Sequence, residues 1–198
     1  MKQKIIDSLI DIGAVKFGEF TLKSGIISPI YIDLRIIISY PKLLEQIAAA
    51  MQELSQELSF QEVAGIPYTA LPIATAFSLA SQVPMIYSRK EKKNYGTSQQ
   101  IEGVWQSGDQ VLIIDDLITN GDSKLETFQV FENVGLTIRD VVVLIDREQG
   151  GKNRLQKAGY CLHSLISVFE ILERMKELKK LDDTQYEEVK AFLMAPVS

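Results

Sequence analysis

Two adjacent carboxylates, Asp115 and Asp116, stand directly after the apolar run Val111-Leu112-Ile113-Ile114, and the chain continues Leu117-Ile118-Thr119-Asn120-Gly121-Asp122-Ser123. A short run apolar at every position predicts a strand buried on both faces. The acids then emerge at its carboxyl end, where open α/β sheets bind ligands. Gly121 and the hydroxyls of Thr119 and Ser123 predict a turn, and Ser123 with Glu126 has the S-x-x-E spacing of a capping box that opens a helix. Backbone amides at such a helix start donate to a phosphate. Carboxylates beside a phosphate cradle repel the same ligand unless it sets hydroxyls at the acids and its phosphate a few ångströms beyond. A phosphorylated ribose has that layout, its 2- and 3-hydroxyls donating to Asp115 and Asp116 and its 5-phosphate entering the turn from Thr119 to Ser123. Charge-assisted hydrogen bonds contribute roughly 1.5–3 kcal/mol each, so several together hold such a ligand at micromolar affinity. The chain has neither a Walker loop nor a G-x-G-x-x-G fingerprint.

Three further groups bring cations or flat rings. Asp146-Arg147-Glu148-Gln149-Gly150-Gly151 follows the apolar run Val141 to Ile145, so it leaves the same sheet edge as the acids. The planar fork of Arg147 suits a carboxylate and a ring carbonyl together; the alternative is an internal pair with Asp146 or Glu148. Arg89-Lys90-Glu91-Lys92-Lys93-Asn94-Tyr95-Gly96 is the strongest basic cluster of an otherwise acidic chain, set in a polar stretch that reads as a long exposed loop. Lys23 offers a cation to an anionic ligand and Tyr31 a flat wall, with a plain surface lysine as the alternative for Lys23. No cluster of His or Cys suggests a catalytic metal, and no nucleophile is placed after the acid pair to form a covalent intermediate.

The elements that must position these groups follow from periodicity. Ile5, Ile6, Leu9 and Ile10 predict a short amphipathic helix stopped by Gly13. Phe17 to Ser39 favours extended structure broken by turns, and a helix runs from Pro41 to about Leu58. Beyond it, strands near Val63–Ile66, Met85–Tyr87, Val111–Ile114, Val141–Ile145 and Cys161–Ile166 alternate with helices near Ile73–Ser81, Lys124–Val134 and Leu155. This is the order of an α/β fold with a mainly parallel open sheet flanked by helices. Phe169 to Met194 reads as a docking helix with a stripe of Ile171, Leu172, Met175 and Leu178. Cys161 is expected to be a buried thiol, His163 structural, and Trp105 packed beneath the base of the long loop.

With 198 residues, 46% of them hydrophobic, the chain can bury one substantial core. A net charge of −5 argues against nonspecific nucleic-acid binding. One cysteine excludes an intrachain disulfide and fits a reducing compartment. Met1-Lys2-Gln3-Lys4 leads straight into the amphipathic pattern without the apolar core of a signal peptide, and no apolar run is long enough to cross a membrane. A cytoplasmic location is expected.

The strand, acid pair, Thr119, Gly121 and Ser123 resemble the phosphoribosyl pyrophosphate signature of type I phosphoribosyltransferases. Phe17 to Gly25 with Ser28 to Asp33, Arg89 to Gly96, and Asp146 to Gly151 resemble orotate phosphoribosyltransferase, particularly the form that makes the first half of bifunctional uridine monophosphate synthases. The likeness extends to about Glu173. It implies one type I phosphoribosyltransferase domain over 1–198, with an N-terminal hood over 1–40, a long flexible loop and a helical tail over 169–198. It also implies transfer of a phosphoribosyl group to orotate in pyrimidine biosynthesis, with magnesium held mainly through the donor, in a homodimer with shared active sites.

On this resemblance the donor is bound by Tyr68, Thr69, Arg89, Lys90, Lys93 and Tyr95, together with Asp115, Asp116, Leu117, Ile118, Thr119, Asn120, Gly121, Asp122 and Ser123. Orotate is bound by Lys23, Tyr31, Ile32, Thr119 and Arg147, and Lys93, Asp115 and Asp116 serve catalysis. Two positions depart from many bacterial members: Tyr95 replaces a His and Thr69 a Lys. A phosphoribosyltransferase for another base, or a nucleotide-sensing regulator of the same fold, is the competing reading.

Overall fold

The computed structural model describes residues 1–21, 25–89 and 100–195. Lys23, Lys90, Lys93 and Tyr95 lie outside them. Six strands form the central sheet in the order β5-β4-β3-β6-β7-β8. They are β3 (Glu62–Gly65), β4 (Met85–Ser88), β5 (Ile101–Glu102), β6 (Gln110–Ile118), β7 (Thr137–Asp146) and β8 (Cys161–Ser167). All neighbours pair in parallel except β4 with β5. Alternation along β6 sends Leu112 and Ile114 into one apolar core and Val111 and Ile113 into another. The first core is closed by α1 (Lys2–Asp11), α2 (Pro41–Leu54), α3 (Ala70–Ser81), α6 (Val168–Glu177) and α7 (Asp183–Met194). The second is closed by α4 (Asp122–Glu132) and α5 (Gly151–Lys157), through Phe128, Phe131 and Leu155. With helices on both faces, the central segments of β6 and β7, Val111–Ile114 and Val141–Ile145, are apolar at every position.

A separate antiparallel hairpin joins β1 (Val15–Thr21) to β2 (Ile27–Ile32). The expected extended structure does not continue through Ile36–Ile38. Asp33 accepts a hydrogen bond from the Arg35 amide at 3.2 Å and starts a 3-10 helix over Leu34–Ser39, whose Ile37 is buried. Helix α2 ends at Leu54, before the predicted Leu58, because the Ser55 hydroxyl donates to the Met51 and Gln52 carbonyls and closes the last turn.

The tail is two helices rather than one. The chain turns after α6 at Leu178, with Lys179 at φ +54°, and Asp182 then caps α7 by accepting from the Gln185 amide at 2.8 Å. Leu178 is left exposed, while Ile171, Leu172 and Met175 remain buried. Arg174 ties α6 to Asp7 of α1 at 2.6 Å, so the tail does dock on the domain. Cys161 is exposed, against expectation, because β8 is an edge strand. His163 is structural, its Nε2 lying 2.7 Å from Asp140 Oδ1, and Trp105 packs partly buried on the second core. Among the described residues no helix is long and apolar enough to cross a membrane.

Candidate active site

Strand β6 runs four residues further than its apolar run predicts. Asp115 pairs with Val143, Leu117 with Ile145 and Ile118 with Asp146 of β7, so the acids sit among the last residues of the strand. The turn follows at once: Gly121 adopts φ +85° as the residue before α4, a conformation that suits glycine. The Ser123–Glu126 box does not form, because α4 already begins at Asp122 and Ser123 lies inside its first turn. Within the turn the Asp122 amide donates to Asn120 Oδ1 at 3.3 Å and the Lys124 amide to the Gly121 carbonyl at 3.1 Å.

The two acids, alike in sequence, differ in surroundings. Asp115 is 5% exposed, and both its oxygens are engaged, one by the Asp116 amide at 2.8 Å and the other by the ammonium of Lys124. Lys124, itself 5% exposed, also donates to the Leu117 carbonyl at 2.8 Å. Asp116 is partly exposed, and its Oδ1 accepts from the Leu117 amide at 2.9 Å. Burial, then the charge of Asp115 and a hydrogen bond to its carboxyl, push Asp116 up to about 7, against the lowering effect of Lys124.

The loop carrying Arg147 is fastened to this turn by main chain. The Arg147 amide donates to the Ile118 carbonyl at 3.0 Å, and the Gly151 amide donates to the Thr119 carbonyl at 2.9 Å. A Cβ on Gly151 would lie 2.6 Å from Ile118 Cγ1 and 2.7 Å from the Thr119 oxygen, so only glycine admits this approach. Among the described residues Arg147 is paired with neither Asp146 nor Glu148. Asp146 Oδ1 accepts from the Glu148 amide at 2.8 Å, and the Glu148 carboxylate takes the Ser167 hydroxyl, with Glu148 held at φ +54°. Arg147 Nε is buried without a hydrogen-bond partner among the described residues, no ion pair to it is found there, and burial lowers its pKa. Gln149 Oε1 beside it is likewise buried and unmatched. A half-buried guanidinium whose Nε has no partner among the described residues is suited to an anionic ligand.

A cavity of about 640 Å³ opens beside these loops, lined by Asn120, Asp122, Gln149, Gly150 and Arg154 and walled by the end of α7. Asp122 is ion-paired with Arg154 of α5, which offsets its charge at the rim of the turn. Strand β3 adjoins β6, and the turn after it carries Tyr68 and Thr69 into a separate cleft of about 410 Å³ with Arg35, Ile37 and Ile38. Tyr68 is exposed, and the Pro67–Tyr68 peptide is cis. At the end of β4, Arg89 Nε lies 3.3 Å from Glu102. Tyr31 stacks on Phe20 with ring centroids 5.4 Å apart, and its hydroxyl accepts from Arg35 at 3.0 Å. Ile32 is half-buried against the first core.

The structure thus brings Asp115 to Ser123 and Arg147 into one constellation, and sets Tyr68, Thr69 and Arg89 on neighbouring strand ends. It leaves Tyr31 and Ile32 on the hairpin. Lys124 and Arg154 were not singled out by sequence reasoning; the signal available was a cation one residue beyond Ser123, in the first turn of a helix where positive charge is disfavoured.

The phosphoribosyl transferase domain model matches residues 36–177. Orotate phosphoribosyltransferase of Pyrococcus furiosus is 39% identical over 87% of this chain and 96% of that protein. The chain belongs to the orotate phosphoribosyltransferase family. Its fold is that of the type I phosphoribosyltransferases. Uridine 5'-monophosphate synthase of Bos taurus is 45% identical over 96% of this chain and 40% of that protein. The solved structure of Leishmania donovani UMP synthase superposes with a TM-score of 0.89 at 38% identity, over 96% of this chain and 41% of that one. The chain spans about 40% of the length of the synthases it matches.

Proposed function

We propose that this chain transfers the phosphoribosyl group of 5-phospho-α-D-ribose 1-diphosphate to orotate, giving orotidine 5'-phosphate and diphosphate on the route to UMP. The observation that carries the reading is Arg147: a half-buried guanidinium whose buried Nε has no hydrogen-bond partner among the described residues, on a loop tied by main chain to the Thr119–Ser123 turn. A neutral base has no carboxylate for that cation, whereas orotate has one. In this reading Thr119 and Arg147, with Lys23, Tyr31 and Ile32 from the hairpin segment, hold orotate. The turn from Thr119 to Ser123 takes the 5-phosphate, and the acid pair grips the ribose hydroxyls.

The reaction is a direct displacement. The bond from C1 to the diphosphate oxygen breaks, its electron pair leaves with diphosphate, and a ring nitrogen of orotate bonds to C1 from the opposite face, its N–H proton passing to the diphosphate or to water. Arg89, Lys90 and Lys93 neutralise the leaving group, and Tyr68, Thr69 and Tyr95 flank it. In this reading a magnesium ion would be held mainly through the donor's own oxygens rather than by a protein cage. Bound there, magnesium supplies charge neutralisation on the diphosphate. We further read 1–198 as one catalytic domain, with 1–40 as a hood and 169–198 as a docking tail, working in the cytoplasm as a homodimer.

The test is incubation with the donor, magnesium and each of orotate, uracil, hypoxanthine and guanine, following base absorbance. Consumption of orotate is expected; consumption of another base instead, or of none, would overturn the assignment. Lys93→Ala is expected to lower turnover far more than it weakens orotate binding, and unchanged turnover in steady-state kinetics would remove Lys93 from the leaving-group role.

A further inference from the structure

The geometry points to Lys124 as a positioning residue that clamps Asp115 inward, so that Asp116 is the acid meeting the donor's ribose hydroxyls. This inference rests on the donor reading above and divides its acid pair into two roles. Lys124 sits in the first turn of α4, where the amide ends of the helix disfavour a cation. It is 5% exposed, and burying an ammonium is costly unless it is fully paired. Two of its donors are placed, on the Asp115 carboxylate and on the Leu117 carbonyl at 2.8 Å, the residues on either side of Asp116 in the strand. Stability alone gives no reason for the pair, since apolar residues of similar volume in its place are often at least as stable.

The arrangement leaves the acids unequal as acceptors. Asp115 has one oxygen on Lys124 and the other on the Asp116 amide, and it is nearly out of reach of solvent. Asp116 is more open; its Oδ1 accepts from the Leu117 amide, and its carboxyl also hydrogen-bonds that of Asp115. Without Lys124, two carboxylates would stand side by side in a dry site with no compensating charge, and repulsion would displace the one that must receive hydroxyls. The clamp is therefore a device for presenting one acid by neutralising the other.

The test measures binding of phosphoribosyl pyrophosphate with magnesium by calorimetry, together with donor KM and kcat, in four proteins. These are the wild type, Lys124→Met, Asp115→Asn/Lys124→Met and Asp116→Asn. A clamp predicts an unusual order: Lys124→Met weakens donor binding about tenfold or more, while the double variant, which removes the acid along with its cation, weakens it less than the single one. Asp116→Asn weakens it most, roughly a hundredfold, and for Lys124→Met the loss falls on KM rather than kcat.

A double variant no better than Lys124→Met, or an Asp116→Asn protein that binds the donor normally, overturns the proposal. Removing one partner of a buried pair can unfold a protein, so melting temperatures are recorded. If Lys124→Met does not fold, the double variant against Asp116→Asn still decides, because the clamp requires the second to bind the donor more weakly. A wild type that binds no donor would instead overturn the functional reading itself. Binding without use of orotate would overturn only the acceptor.

Discussion

The two edges of the central sheet each carry a pair of neighbouring acids, and the comparison shows what separates a buried acid from a site. At the amino-terminal edge, Glu62 is pushed up to about 7 by burial, then by the hydrogen bond its protonated carboxyl donates to Asp109 and by the charge of Asp109. Around it the turns are tied to the sheet: Asp109 Oδ2 accepts from the Gln106 amide at 2.6 Å, and its carbonyl accepts from the Thr137 amide at 2.9 Å. At the carboxyl-terminal edge, Asp116 is likewise pushed to about 7. There the neighbours include one cation matched to Asp115 and one, Arg147, matched to nothing among the described residues. A raised carboxyl alone therefore marks burial. Unmatched charge of the opposite sign beside it, on loops fixed by main chain, marks a place for a ligand.

The largest expected effect strikes the unmatched group. Arg147→Ala should lower kcat/KM for orotate about a hundredfold or more, the loss of two charge-assisted hydrogen bonds at roughly 1.5–3 kcal/mol each. Donor affinity and melting temperature should be retained, since no internal partner is stranded. A matching loss of donor binding would place Arg147 in the donor site and dissolve the contrast between the two loops.

Next comes pH. Asp116 binds its proton more tightly in the folded protein than its ordinary value of 3.8 allows. Its contribution to stability is therefore complete below that value and is lost as pH rises through about 7. Asp116→Asn should thus have a higher urea midpoint than the wild type at pH 8 and an equal one near pH 4. Hydroxyl donors prefer the ionised acid, so wild-type donor affinity should rise with pH up to about 7 and then level off; a flat titration would show that Asp116 is not an acceptor for the donor.

The smallest effect belongs to the other edge. Glu62→Gln should show the same stabilisation at pH 8, through the same sign of linkage, with kinetics unchanged for both substrates. A change in KM would mean that the two edges communicate, and that the comparison is drawn too sharply.

Much of this was legible in the chain. Apolar runs such as Val111–Ile114 and Val141–Ile145 announce strands covered on both faces, and the alternation of elements announces the open sheet with the acids at its carboxyl edge. What could not be read is where a strand stops once it has turned polar. Asp115 to Ile118 stay in β6 because β7 offers them partners, a long-range pairing that local composition does not encode. For the same reason Ser123 lost its capping role: Gly121, with positive φ, started the helix earlier. Lys124 was hidden because a cation at a helix start reads as surface until its buried partner is seen. Cys161 misled in the reverse sense, since apolar flanks do not reveal that a strand lies at the edge of its sheet.

The glycine contact between the two loops has a consequence for how such a protein can change. The two ties are made by backbone groups, Arg147 amide to Ile118 carbonyl and Gly151 amide to Thr119 carbonyl. The spacing of the loops is thus indifferent to the side chains they carry, so long as residue 151 has none. Residues 147 and 149 can be exchanged, by evolution or by design, without disturbing the neighbouring turn. A new acceptor can be tried on an unaltered frame, and the glycine is the one element of that frame with no substitute.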